Sequence, residues 1–211
     1  MLWSVCAPAR AAGSPDGYSC FVEAFTNIGA MHGVGVGEVR LEADPQHRAT
    51  AASFTYHVRD RSPFGGTGYG RMSATWELVG GRAEAMSPIR SVWLPFHRGL
   101  PSRPATVALS LDEGPPESIA IADSWLQKDS TGRANGLRLP ANEGAAPELR
   151  GRRSFGYRVK AEDGSDLFSD FFLMPDWKKI RGPIAAALGR ARSMLNKKKC
   201  GPFYRIGRAA G

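Results

Sequence analysis

No run of apolar residues in the chain approaches the roughly 20 that a helix needs to cross a bilayer. The expectation is therefore that this is not an integral membrane protein. The sharper catalytic signatures are missing too: there is no HExxH, no GxSxG, no Walker-type loop and no paired CxxC. The four histidines, His32, His47, His57 and His97, have no second histidine or cysteine at the i+2 to i+4 spacings that metal ligands favour. The acidic residues Glu162, Asp163, Asp166 and Asp170 do not fit the calcium-loop pattern and read as turn chemistry and solvated strand edges. Asp129, Ser130, Thr131 and Asn135 likewise read as a turn. No catalytic residue, metal site or cofactor is expected on these grounds.

Glycine is not scarce. Residues 65–70 read Gly-Gly-Thr-Gly-Tyr-Gly, but the last glycine of GxGxxG is absent and a strand follows instead of a helix, so no phosphate cradle forms. This stretch reads as a hairpin loop, with Arg59, Arg61 and Arg71 beside it as surface cations. With 25 glycines and 15 prolines, the chain has the composition of a turn-rich fold, not one of long helices.

The net charge of +8 looks like a nucleic-acid signal until it is located. Ten basic residues and no acidic one lie from Lys178 onward, which leaves 18 basic against 20 acidic residues in the rest. The body is nearly neutral, and the excess belongs to the C-terminal segment. Lys197, Lys198, Lys199, Arg205 and Arg208 are the candidate anion-binding residues, against the simpler reading of a solvated helix end and tail.

Residues 1–12 read as the remnant of a signal peptide. They are short, apolar and alanine-rich, and Ala9-Arg10-Ala11 has the small-x-small form of a cleavage site. A periplasmic or secreted protein is the expectation, with a cytoplasmic one as the alternative. Cysteine is sparse, and its count agrees with export: removing the leader takes Cys6 and leaves Cys20 and Cys200, the number needed for one disulfide. That bridge would close nearly the whole chain, worth about 4–5 kcal/mol in the loop-entropy model. The rival, a reactive Cys200 beside three lysines, is weakened by its place at a helix C-terminus, which raises a thiol pKa.

Alternating or β-branched stretches bounded by turn residues predict strands over 20–25, 34–41, 54–58, 72–78, 89–96, 105–111, 117–122, 155–160 and 167–173. Gly80-Gly81 and Asp163-Gly164 mark turns between consecutive strands. Residues 129–152 read as an extended surface loop. The segment 98–104 separates strand-rich halves, 18–97 and 105–200, within one expected domain over 13–200, followed by a basic tail over 201–211.

The last regular element is a helix starting at Pro183, with Ile184, Ala187, Leu188, Ala191 and Leu195 on one stripe and Met194 at its edge. Asp176 caps a short turn before it, and Gly201-Pro202 stops it. Its outer face carries too little charge for a membrane-surface helix, so packing onto a sheet is the expectation.

The fold expected is mainly β: an antiparallel β-sandwich or barrel-like sheet with a C-terminal amphipathic α-helix packed on it. The function expected is a non-catalytic binding or structural role in the cell envelope. Two alternatives stay open, an enzyme whose site assembles from scattered loop residues, with a pocket that would have to collect His57, His97 or the carboxylates, and a basic-tail protein held electrostatically at nucleic acid or an anionic membrane surface.

Overall fold

A computed structural model describes residues 15–27, 33–61, 67–96 and 103–203. Among the described residues, twelve strands form two antiparallel sheets, and one helix packs on them. The arrangement is a sandwich and not a closed barrel. The larger sheet contains β1 (Gly17–Asn27), β2 (Val34–Ala43), β3 (Ala49–Arg61), β4 (Thr67–Leu78), β5 (Met86–Pro95), β8 (Leu126–Lys128), β9 (Ala134–Pro140) and β12 (Gly201–Phe203). Its order is β12-β1-β2-β3-β4-β5-β9-β8. The smaller sheet, in order β11-β10-β6-β7, contains β6 (Pro104–Leu111), β7 (Glu117–Ala120), β10 (Ser154–Ala161) and β11 (Asp166–Leu173).

Period-two patterning decides which face of each strand is buried. On β3, Phe54, Tyr56 and Val58 point inward and are almost fully buried, while Ser53, Thr55 and His57 alternate outward. Register then stacks like on like: Phe54 lies opposite Val39 and Trp76, and Tyr56 opposite Gly37 and Ala74. From the smaller sheet Val107, Phe155, Val159 and Phe172 face the same interior. The buried residues of both sheets and the helix form one continuous core.

Helix α1 runs Trp177–Asn196, six residues longer at its start than the sequence suggested. Asp176 is the N-cap of the whole helix and accepts the Lys178 N–H at 3.0 Å. Pro183 sits inside the helix, not at its first position. An interior proline costs about 3 kcal/mol. Burial of Trp177 and Ile180 offsets it, since each large apolar side chain is worth about 1.5–3 kcal/mol. Trp177 packs edge-on to Trp76, ring centroids 4.8 Å apart, and to Phe54 at 6.1 Å. The stripe Ile184, Ala187, Leu188, Ala191 and Leu195 is buried, with Met194 half-buried at its edge, as expected. It lies over β1 and β2.

The helix stops at Asn196, before the anticipated Gly201-Pro202. Lys198 adopts a left-handed backbone (φ 54°). Its N–H donates to the Leu195 carbonyl, and the Lys199 N–H donates to the Met194 carbonyl, both at 2.9 Å. This is a Schellman motif with lysine where glycine is usual. Gly201–Phe203, read in sequence as the start of a tail, is instead β12, an edge strand paired with β1.

The expected loop over 129–152 also needed correction. It contains β9, an interior strand of the larger sheet between β5 and β8. Only Leu137 and Leu139 carry its alternation, and Asn135 and Gly136 disguise the rest. The latter glycine has a reason: a Cβ there would collide with the Trp93 ring lying across it. Gly80 and Gly81 lie in the β4–β5 connection and have φ of 60° and 64°, so that turn falls where it was anticipated.

Candidate binding groove

Among the sites named from sequence, the cysteines come together. Cys20 on β1 and Cys200 between α1 and β12 have Cα atoms 4.7 Å apart with their sulfurs at bonding distance, and both are buried. Lys197, Lys198 and Lys199 are exposed at the helix end. Lys199 borders a hollow of about 420 Å³ with Phe21, Arg40, Met194 and Phe203. Arg205 and Arg208 lie outside the described residues, as do residues 1–12, His32 and His97. The glycine-rich stretch is also outside them up to residue 66.

His47 stacks on Tyr18 with ring centroids 3.9 Å apart. His57 is half-buried on the outer face of β3, level with Val36 and Ser73. Burial, aided by the Arg59 charge, lowers its pKa from 6.5 to about 4, so it is neutral at pH 7. Arg71, read as a surface cation, bridges the two sheets instead. Its guanidinium lies 2.5 Å from the Asp170 carboxylate, which is 5% exposed, and 3.3 Å from Asp60. Tyr157 reaches the same region; its hydroxyl is buried and has no hydrogen-bond partner among the described residues. Burial pushes its pKa far up, with the Asp170 charge adding to the effect. No group of three or more His, Cys, Asp or Glu among the described residues could hold a metal ion. No helix among them is long and apolar enough to cross a membrane.

A groove of about 630 Å³ crosses the outer face of the smaller sheet. Register explains why it exists. Three outward positions of the central strands are small: Gly156 lies opposite Ser110, and Ala108 lies between Ser118 and Arg158. Phe171 rises from β11 at one margin. Arg158 and Lys160 stand along β10, sharing Asp166 at 3.6 and 3.9 Å. Two cations on one carboxylate leave the β10 side of the groove with a net positive charge.

The opposite wall is the β6–β7 turn, where Asp112 (φ 51°) and Glu113 (φ 61°) are consecutive left-handed residues. The Gly114 N–H closes the turn on the Leu111 carbonyl at 2.8 Å. Each non-glycine residue in this region costs about 1–2 kcal/mol. For Asp112 the structure supplies compensation. Its carboxylate accepts the backbone N–H groups of Arg153 (2.6 Å) and Ser154 (3.2 Å), and the Arg152 guanidinium lies 3.4 Å away. The Arg153 N–H, above all, holds its pKa below the usual value. Glu113 has no such bond among the described residues; its exposed carboxylate borders the groove. Two consecutive left-handed residues closed by an i to i+3 bond are the centre of a tight hairpin turn, and Glu113 is the member of that pair whose carboxylate the turn leaves unused.

Sequence reading missed this groove, because small outward residues on strands look like ordinary solvated positions. Asp-Glu-Gly after the strand 105–111 was the only local signal. Comparison of the chain with family models, curated proteins and solved structures finds no match.

Proposed function

We propose that the protein is an exported, non-catalytic binding protein of the cell envelope, and that the groove of the smaller sheet holds an extended peptide segment carrying both charges. The observation that carries this reading is the groove itself: a floor containing Gly156, Ser110 and Ala108, the exposed Glu113 on the turn at one wall, and Arg158 with Lys160 along the other side. Such a layout suits a ligand with acidic and basic side chains separated along an extended backbone. Export is supported by the placement of Cys20 and Cys200 as a pair, since disulfides form and persist mainly in oxidising compartments, and by the cleavage-like Ala9-Arg10-Ala11.

The test is an array of immobilised decapeptides of systematically varied charge, probed with labelled protein. Selection of mixed-charge sequences is expected, abolished by Ser169→Trp, which fills the groove from an exposed position, and kept by Ser193→Asp on the helix. Absence of selection, or selection that survives Ser169→Trp, would overturn the reading. Fractionation of cells carrying the tagged native gene tests export; signal confined to the cytoplasm would defeat that part.

A second reading has one observation in its favour. Phe21 is 53% exposed and shares the hollow beside the disulfide with Arg40 and Lys199, so apolar and cationic groups are side by side. An anionic partner at Lys197, Lys198 and Lys199, extended by Arg205 and Arg208, would bind in a salt-dependent manner. Changing all five to glutamine while retaining Cys200 tests it, with anionic vesicles and duplex DNA as probes; binding that survives, or that ignores salt, would place recognition elsewhere.

A further inference from the structure

The outer face of the larger sheet carries a separate feature that owes nothing to the groove described above. Trp93 on β5 is half-buried, and its six-membered ring lies across Gly136 of β9, so one face of the indole is covered by the sheet. This contact explains the glycine. It does not explain what surrounds the ring. Trp93 borders a hollow of about 310 Å³ whose other margins are set by residues that include Ser73, Ser91, Gln127, Lys128 and Arg138, with Asn135 near the start of β9 beside them. No carboxylate borders the hollow, and neither Lys128 nor Arg138 forms an ion pair among the described residues. Ser73 and Arg138 flank the tryptophan directly, being its partners across β4 and β9.

An outward tryptophan on a polar sheet is costly to leave wet, since the indole presents a large apolar surface. Hydroxyls and an amide beside it cannot cover that surface. They suit a ligand that is apolar on one face and densely hydroxylated at its edge, which is the chemistry of a pyranose ring. Lys128 and Arg138 add a demand for negative charge that a neutral sugar does not meet. The volume is at the lower end of the range for small-ligand sites.

We infer that the hollow around Trp93, with Gln127, Lys128 and Arg138, is a binding site for an acidic saccharide. The indole would stack on the C–H face of one sugar, the Gln127 amide and the serine hydroxyls would take its hydroxyls, and the two cations would hold a carboxylate or phosphate substituent. The pairing of Trp93 with Gly136 fixes the ring before the ligand arrives, so little side-chain freedom is lost on binding.

The experiment is calorimetric titration of the full protein with a panel of uronic-acid, sialylated and phosphorylated oligosaccharides beside neutral ones. Acidic members should bind more tightly than neutral ones of the same length. Trp93→Ala should weaken binding to every member about tenfold. The double variant Lys128→Gln with Arg138→Gln should remove the preference for acidic members while retaining weak binding to neutral ones. Because Trp93→Ala also uncovers Gly136, its melting curve is compared first. The double variant changes only exposed or half-exposed side chains and tests the site with the fold undisturbed. Absence of binding to any acidic saccharide, binding indifferent to Trp93→Ala, or an acidic preference that survives the double variant would each overturn the inference. Tighter binding of an acidic peptide or a nucleotide than of any saccharide would do so as well.

Discussion

Severing the link between Cys20 and Cys200 is the perturbation whose size follows most directly from the structure. The two residues are 180 positions apart, so the cross-link constrains nearly the whole unfolded chain. The loop-entropy model gives about 5 kcal/mol at 25 °C for a closure of this length. For a protein of this size each kcal/mol moves the melting temperature by about 2–4 °C. Reduction should therefore lower it by about 10–20 °C. A variant with alanine at both positions should melt below even the reduced protein, by the equivalent of about 1 kcal/mol, because Cys20 is 1% exposed and its sulfur fills core space. The assay is circular dichroism melting of both proteins with and without a phosphine reductant. The parent should respond to reductant and the double variant should not. A parent that shifts by less than about 2 °C, or whose peptide map shows free thiols at both positions after isolation from an oxidising compartment, would refute the reasoning.

Lys198→Gly should raise stability by about 0.5–1 kcal/mol by relieving the left-handed strain. Lys197→Gly, one residue earlier at φ −87°, should lower it by a similar amount; chemical denaturation of the two variants should give opposite signs. Leu188→Asp places a charge at a position 3% exposed and should cost several kcal/mol, while Ser193→Asp on the exposed side should stay within about 0.5 kcal/mol; equal melting shifts would mean the stripe is not buried. His57 contributes stability that is complete above pH 6.5 and is lost as the pH falls towards about 4, because in that window the unfolded chain binds a proton that the folded one does not. The total is at most about 3 kcal/mol. The melting temperature of His57→Gln should fall less than that of the parent between pH 6.5 and 4, and identical profiles would contradict the assigned burial.

The strands that were legible in sequence share one property: their inward residues are large. Phe54, Tyr56 and Val58, or Trp76 and Leu78, announce a buried face by themselves. Strands β8 and β9 were not legible because their neighbours supply the bulk: Trp93 covers Gly136, and Leu137 and Leu139 are too few to establish a period. The helix start was missed for a related reason. Local rules place proline at a first turn, but Trp177 packs on Trp76 and Phe54 from strands a hundred residues away, and no local rule contains that contact. Pairing of Cys20 with Cys200 was legible by elimination. The groove was not, since Gly156, Ser110 and Ala108 meet only through strand register, and the strain at Glu113 is a property of the backbone that residue type does not reveal.

The pairing of β12 with β1 has a mechanical consequence. Three residue pairs join the strands, from Gly17 with Phe203 to Ser19 with Gly201, and the Asp16 N–H donates to the Phe203 carbonyl just beyond them. A pull applied to the two ends of the described body would peel this short zipper one bond at a time. It would then meet the bond between Cys20 and Cys200, one residue further along each strand. Tension would pass through that bond from one end of the chain to the other, and the 179 residues between the two cysteines would carry no load. Whatever is attached at either end, the sandwich behind the cross-link is sheltered from it.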